Sequence, residues 1–141
     1  DRRQRRVRIR DSSRGSGYRV DSVYGGRPGS KEREDLKNPP AILVGTPGRV
    51  ADHLRRESFS VKTIRTLVLD EFDKALETGF EKEMKEIVKA LPFLKKKVLT
   101  SATNEVDIPD FIQFHDPVTI DYLGTRSSQL RLVDVPAPEK D

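Results

Sequence analysis

Residues 66–73 read Thr-Leu-Val-Leu-Asp-Glu-Phe-Asp, an apolar run of strand length that ends directly in acidic residues. A further apolar run stands at residues 41–44, a third buried strand is expected at residues 97–100, and segments with helical spacing separate the three. Short apolar strands that alternate with helices are typical of α/β proteins whose parallel strands are covered on both faces. The pattern therefore predicts an α/β fold with a parallel sheet flanked by helices.

Turn residues and helix caps predict the remaining elements. Thr46 stands where a helix N-cap is expected, with Pro47 at the first helical position. The helix that follows is expected to bury Val50, His53 or Leu54. The predicted strands are residues 19–24, 41–44, 66–69, 97–100, 117–120 and 130–135, and the predicted helices are residues 30–37, 47–56, 80–91 and a short one at 108–114.

Positive charge is concentrated near the start of the chain. The 141 residues carry a net charge of +4, but residues 1–20 hold eight arginines and two aspartates, so the remainder is net negative. Such a segment attracts polyanions without choosing among them. Residues 1–17 are therefore either a solvated, partly disordered arm or a nucleic-acid contact, and the sequence leaves both alternatives open.

The composition excludes several classes of protein. The chain has no cysteine, which excludes disulfides, thiolate zinc sites and thiol catalysis. No apolar run approaches the roughly 20 residues of a membrane-spanning helix, so no membrane partner is expected. The absence of cysteine fits a cytoplasmic protein. Since the chain begins at Asp1, we expect a fragment, a processed product or a trimmed chain.

Small, hydroxyl or acidic residues follow four of the predicted strands. They are Gly25-Gly26, residues 46–49, Asp70-Glu71 and residues 100–103. Ligands of open parallel sheets bind at the carboxyl ends of the strands, so these residues predict a site. Asp70 could hold Mg²⁺ while Glu71 orients or deprotonates an attacking water. The alternative is that both acids only favour the start of the next helix.

The order and spacing of these segments closely resemble the DEAD-box ATP-dependent RNA helicases, over about residues 18–136. The nearest subgroup has Asp-Glu-Phe-Asp as motif II, where Phe72 replaces the commoner alanine. The resemblance implies residues 18–135 as part of the first RecA-like domain of a P-loop NTPase, and residues 136–141 as the start of a linker to a second such domain. It implies ATP and Mg²⁺ as cofactors and RNA as partner. The matching segments are Gly25-Gly26, Thr46-Pro47-Gly48-Arg49, Val68-Leu69-Asp70-Glu71-Phe72-Asp73, Leu76, Gly79-Phe80 and Ser101-Ala102-Thr103.

The resemblance also implies catalytic and coupling roles. Asp70 would bind Mg²⁺ through water, and Glu71 would position the hydrolytic water. Asp73 would hydrogen-bond Ser101 and Thr103, which would link the nucleotide site to the RNA site. Without the resemblance, Ser101 and Thr103 read as an ordinary turn stabilised by hydroxyl groups.

RNA-backbone contacts are implied for Thr46, Pro47, Gly48 and Arg49, and for Gly25, Gly26 and Gly79. A helix start offers N–H groups and a positive dipole end to a phosphate. The alternative for residues 46–49 is an ordinary capped helix. For the other three glycines, the alternative is a turn that requires positive φ.

The sequence lacks the phosphate-binding run Gly-x-x-x-x-Gly-Lys-Ser/Thr and a second domain. We therefore expect the chain to be part of an ATP-dependent RNA helicase that couples ATP hydrolysis to RNA duplex unwinding, and to be inactive alone. The alternatives are a non-catalytic nucleic-acid-binding module and a fragment without a function of its own.

Overall fold

The computed structural model describes residue 9 and residues 11–103, 107–113 and 117–121 of the chain. Strands alternate with helices as the sequence predicts, except that two helices, one of them not predicted, separate the third and fourth strands. The elements are β1 (Val20–Val23), α1 (Gly29–Asp35), β2 (Ile42–Gly45), α2 (Pro47–Arg55), β3 (Thr66–Leu69), α3 (Phe72–Glu77), α4 (Glu81–Ala90) and β4 (Lys96–Leu99), followed by a 3-10 turn at Asp110–Ile112.

The four strands form two parallel pairs. β1 pairs with β2, and the pair ends where Val23 lies opposite Gly45. β3 pairs with β4, and this pair ends where Leu69 lies opposite Leu99. Within the described residues no ladder joins the pairs, so the structure has two two-stranded sheets where one sheet was predicted. Consequently, the polar segments after β1 and β2 lie at one sheet edge, and those after β3 and β4 lie at another.

The core lies between α2, α4 and the β3–β4 pair. Ala51, Ile87 and Leu91 are buried in one cluster, and the partly buried Val50 and Leu54 pack against it together with Val61, Ile64, Leu67 and Leu94. His53 is also fully buried, so all three residues that the sequence proposed for the inner face of α2 turn inward. The helix is amphipathic, and packing of its apolar face supplies most of the stability of so short a helix.

The outer face of α2 is polar. Asp52 accepts a hydrogen bond from Arg56 Nε at 3.0 Å, one turn further along the helix. This hydrogen bond, together with the positive charge of Arg56, lowers the pKa of Asp52. The pair is solvent-accessible and belongs to neither functional cluster described below.

Gly45 is required by close packing at the end of β2. A Cβ atom there would lie 2.4 Å from Val50 Cγ2 and 2.8 Å from Val23 Cγ2. The chain must also turn directly into α2, with Thr46 as N-cap and Pro47 as first helical residue, as predicted. Glycine therefore lets the start of α2 pack against the end of β1.

Some sequence-based expectations are wrong. Residues 117–120 are not a strand. The strands are not covered on both faces, since Val68 in the middle of β3 is 55% exposed. A sheet of only two strands packs against few other elements, so part of its surface stays exposed. The apolar sequence of a strand does not reveal how many strands its sheet contains. The predicted strand at residues 130–135, the linker at 136–141 and residues 1–8 and 10 of the basic segment lie outside the described residues. Among the helices that are described, none has the length and apolar character needed to cross a bilayer.

Candidate functional site

The first cluster is the acidic turn after β3. Asp70 follows the last residue of β3, and Glu71 is the N-cap of α3 with a left-handed backbone, φ 50° and ψ 49°. Non-glycine residues rarely adopt this conformation, and it occurs often at functional sites. The turn directs the chain from the strand into α3 and places two carboxylates at the carboxyl end of the β3–β4 pair.

Thr100 holds this turn from the neighbouring strand. Its hydroxyl donates to Asp70 Oδ1 at 2.5 Å and accepts the Glu71 N–H at 2.9 Å. Its backbone carbonyl accepts the Phe72 N–H at 3.0 Å. A single residue thus bonds three consecutive residues of the acidic motif.

The sequence predicted residues 100–103 as part of a site, but it did not reveal this role of Thr100. The signal that could have found it is register: Leu69 and Leu99 are paired, so each next residue lies opposite the other. The sequence of one strand does not show which residues of its neighbour lie opposite, so this contact could not be predicted from the strand alone.

The predicted hydrogen bonds from the hydroxyl groups of Ser101 and Thr103 to Asp73 are not formed. Ser101 Oγ instead donates to Thr103 O at 3.0 Å and accepts the Thr103 N–H at 3.1 Å. Asp73 is buried, and within the described part of the chain its Oδ1 has no hydrogen-bond partner. A hydroxyl has one proton, and Ser101 uses it within its own turn. The coupling role of the three residues stays a prediction.

The donor set at the acidic turn suits Mg²⁺ and not a metal held by protein ligands alone. Within the described residues, no group of three or more His, Cys, Asp or Glu side chains comes together. Mg²⁺ commonly takes one or two carboxylates and completes its shell with waters and substrate phosphates. Asp70 fits that mode, because Thr100 fixes the orientation of its carboxylate.

The second cluster joins the loop after β1 to the start of α2. Thr46 N–H donates to Val23 O at 3.2 Å, which brings residues 46–49 beside Gly25-Gly26. Thr46 makes no side-chain cap bond, so its hydroxyl does not satisfy the first N–H groups of α2. The predicted contact segments are therefore neighbours in space, at the carboxyl end of the β1–β2 pair.

The four glycines predicted to contact RNA divide into two kinds. Gly26 and Gly79 have φ of 93° and 84°, which explains both as turn residues. Gly25 and Gly48 lack positive φ, and a Cβ on either would meet nothing within 4 Å. The backbone of Gly25 and Gly48 is therefore open to an approaching ligand, and the fold does not require glycine at either position.

Among the described residues, Gly79 hydrogen-bonds within its own turn and to neither cluster. It follows α3, and its N–H donates to Leu76 O at 3.1 Å within the turn that leads to α4. The turn requirement accounts for this glycine.

Arg49 points into the protein. Its Nε lies 3.1 Å from Glu32 Oε2, and its side chain is 20% exposed. It also donates to Tyr24 O at 3.4 Å and to Arg27 O at 2.5 Å. The charge that the sequence assigned to RNA is thus neutralised internally. Glu32 was not predicted as a site residue, because its partner Arg49 is distant along the chain.

Comparisons with known proteins show which proteins the chain resembles. A family model described as DEAD/DEAH box helicase matches residues 3–111, a range that begins inside the arginine-rich segment. The ATP-dependent RNA helicase CshA of Limosilactobacillus reuteri is 42% identical over 104 residues, which are 72% of this chain and 21% of that protein.

Two solved structures share the fold. A hypothetical ATP-dependent RNA helicase from Sulfolobus tokodaii superimposes with a TM-score of 0.66 at 33% identity, over 78% of this chain and 32% of its own. A DEAD box protein from Methanococcus jannaschii gives a TM-score of 0.64 at 30% identity, over 78% of this chain and 30% of its own. The chain thus spans between a fifth and a third of these relatives.

Proposed function

Because this chain belongs to the DEAD/DEAH box helicase family, we propose that it is part of an ATP-dependent RNA helicase that couples ATP hydrolysis to RNA duplex unwinding. In this proposal the chain contributes two parts of a RecA-like domain. The acidic turn serves the nucleotide, and the loop pair after β1 and β2 contacts the RNA backbone.

The hydrogen bonds that Thr100 makes to the acidic turn support the nucleotide role. Asp70, the proposed metal-side residue, would bind Mg²⁺ through water, and Mg²⁺ would neutralise charge on the phosphates of ATP. Glu71, the proposed catalytic residue, would orient the attacking water. Phosphoryl transfer depends mainly on positioning and electrostatics, so holding both carboxylates from a neighbouring strand serves this chemistry.

The open backbone at Gly48 is the observation that carries the RNA role. Gly48 is in the first turn of α2, where N–H groups point toward solvent and the helix dipole is positive. With nothing within 4 Å of a Cβ there, phosphate oxygens can reach the backbone. Contacts of this kind do not read bases, so we expect little sequence preference.

Substitution of Gly48 by alanine tests this role. Alanine is the better helix former by about 0.5–1 kcal/mol, so G48A should leave the free energy of unfolding unchanged or raise it. The added methyl group would keep phosphates from the helix start, so affinity for single-stranded RNA should fall. Binding is best measured near 200 mM salt, where the basic segment contributes less.

S60A serves as the control, because Ser60 is an exposed residue after the far end of α2. Its hydroxyl accepts the exposed Lys62 N–H at 3.3 Å, so S60A should lower stability slightly at most and should leave RNA affinity unchanged. If G48A and S60A bind RNA with the affinity of the parent chain, the helix start is not an RNA contact.

A non-catalytic nucleic-acid-binding module is the second candidate, favoured by the arginines of residues 1–17. A C-terminal second RecA-like domain, a cytoplasmic location and membership of the Asp-Glu-Phe-Asp subgroup remain parts of the proposal. An open reading frame extending beyond Asp1 and Asp141 and encoding a phosphate-binding loop would favour the helicase. A frame without one would favour the module.

A further inference from the structure

Glu32 is a buried carboxylate that none of the preceding roles uses. It lies on α1 and is 2% exposed. Burial of an ionised carboxylate is costly unless it is paired and hydrogen-bonded, so its partners indicate why the fold retains it.

The two oxygens of Glu32 bond to both loops of the second cluster. Oε1 accepts the N–H of Tyr24, the residue that precedes Gly25-Gly26, at 3.1 Å. Oε2 lies 3.1 Å from Nε of Arg49, at the start of α2. One buried carboxylate thus joins the loop after β1 to the helix after β2.

His53 fixes the orientation of this carboxylate. Its Nε2 lies 2.8 Å from Glu32 Oε2, and the imidazole is fully buried. A carboxylate only accepts, so Nε2 donates to Glu32, and Nδ1 lies 2.9 Å from Ser58 Oγ. His53 therefore supports the carboxylate from the inner face of α2.

Arg49 closes the arrangement from the other side. Its guanidinium bonds the carbonyls of Tyr24 and Arg27, which flank Gly25-Gly26. Gly29 leaves room for it, since a Cβ there would lie 3.2 Å from Arg49 Nη1. The arginine of the helix start thus acts as a brace for the glycine loop.

We propose that Glu32 is a positioning residue that sets the Gly25-Gly26 loop and the start of α2 in one fixed geometry for an RNA backbone. The proposal rests on the proposed RNA contact. Glu32 acts through Tyr24 and Arg49 and does not touch RNA itself. Because Arg49 is engaged inside the protein, phosphates meet the backbone N–H groups of α2 and not the guanidinium.

Amide hydrogen exchange in the full 141-residue chain tests the positioning role directly. The Tyr24 amide donates to Glu32, so E32A should make it exchange about 10- to 100-fold faster. Amides of β3 and β4 should keep their protection. E34A is the matched control, because Glu34 lies on the same helix, is exposed, and pairs with Lys37 at 2.6 Å. Equal Tyr24 exchange in E32A and E34A would overturn the proposal.

R49M is the second variant, in case E32A unfolds the chain. It removes the guanidinium and keeps an unbranched side chain, so amides of residues 25–27 should exchange faster while β3 and β4 stay protected. R56M is its control, since Arg56 pairs with Asp52 on the exposed face of α2. Unchanged exchange at residues 25–27 in R49M would overturn the proposal. So would global unfolding of both E32A and R49M, because the network would then hold the whole fold.

Added single-stranded oligouridylate separates this proposal from the proposed RNA contact. RNA should slow exchange at residues 25–27 and 46–49 in the parent chain and less so in E32A. If RNA changes exchange in neither segment of the parent chain, the proposed RNA contact is wrong. The exchange rate of the Tyr24 amide in E32A still tests the positioning role.

Discussion

The hydroxyl of Thr100 donates to the carboxylate of Asp70 across the carboxyl ends of β4 and β3, at 2.5 Å. The same oxygen accepts the Glu71 N–H, so it uses its donor and one acceptor position on adjacent acidic residues. The orientation of both proposed nucleotide-site residues therefore depends on a residue outside their own segment.

We expect T100V to lower the free energy of unfolding by about 1 kcal/mol, because two hydrogen bonds are lost at a solvent-accessible site. T100S keeps the hydroxyl and should restore most of the loss. Urea unfolding of both variants measures the effect. Equal stability of T100V and T100S would mean that the hydroxyl does not hold the acidic turn.

Gly45 and Gly48 should respond to alanine in opposite ways. The methyl group of G45A would lie 2.4 Å from Val50 Cγ2 and would push α2 away from β1, which we expect to destabilise the fold by about 1–3 kcal/mol. G48A adds the same group to open space and should not destabilise. Thermal unfolding of the pair is the measurement. A G45A chain as stable as G48A would contradict the close approach of α2 to β1.

The chain alone should not hydrolyse ATP. It carries the acidic turn but no Gly-x-x-x-x-Gly-Lys-Ser/Thr run to hold the phosphates. Phosphate release with and without RNA should equal the background, and E71Q should not change it. RNA-stimulated release that E71Q abolishes would show that the chain is catalytic by itself.

RNA binding by the chain should be mainly electrostatic and should come mainly from residues 1–17. If several arginines pair with phosphates, the affinity for single strands should fall between 50 and 200 mM salt, with a slope of about −0.7 per contact. Deletion of residues 1–17 should remove most of that slope. An unchanged salt response after deletion would assign the binding to the surface formed by residues 46–49.

Asp73 should be dispensable for stability. The structure shows a buried Oδ1 without a partner within the described residues, so D73N breaks no hydrogen bond at that atom and should leave the free energy of unfolding unchanged or slightly higher. Double-mutant cycles of D73N with S101A and T103A should be additive within about 0.5 kcal/mol. A larger coupling energy would restore the direct link that the sequence led us to expect.

The sequence by itself determined the order of β1 to β4 and of helices α1, α2 and α4, and the segments that follow each strand. Apolar runs such as residues 66–69, and caps such as Thr46 before Pro47, are local signals, and the structure confirms the elements they predict. The family is equally visible, because Asp-Glu-Phe-Asp and Thr-Pro-Gly-Arg are contiguous in the chain.

Tertiary structure alone decided how those segments are held. Thr100 bonds Asp70 only because β3 and β4 pair in one register, and Arg49 faces Glu32 only because α1 and α2 bring a buried carboxylate to it. Within the described residues, Asp73 Oδ1 has no hydrogen-bond partner, and the Ser101 hydroxyl donates to Thr103 O in its own turn. Hydrogen-bond partners far apart in sequence depend on pairing and burial, and neither is encoded in the spacing of a motif.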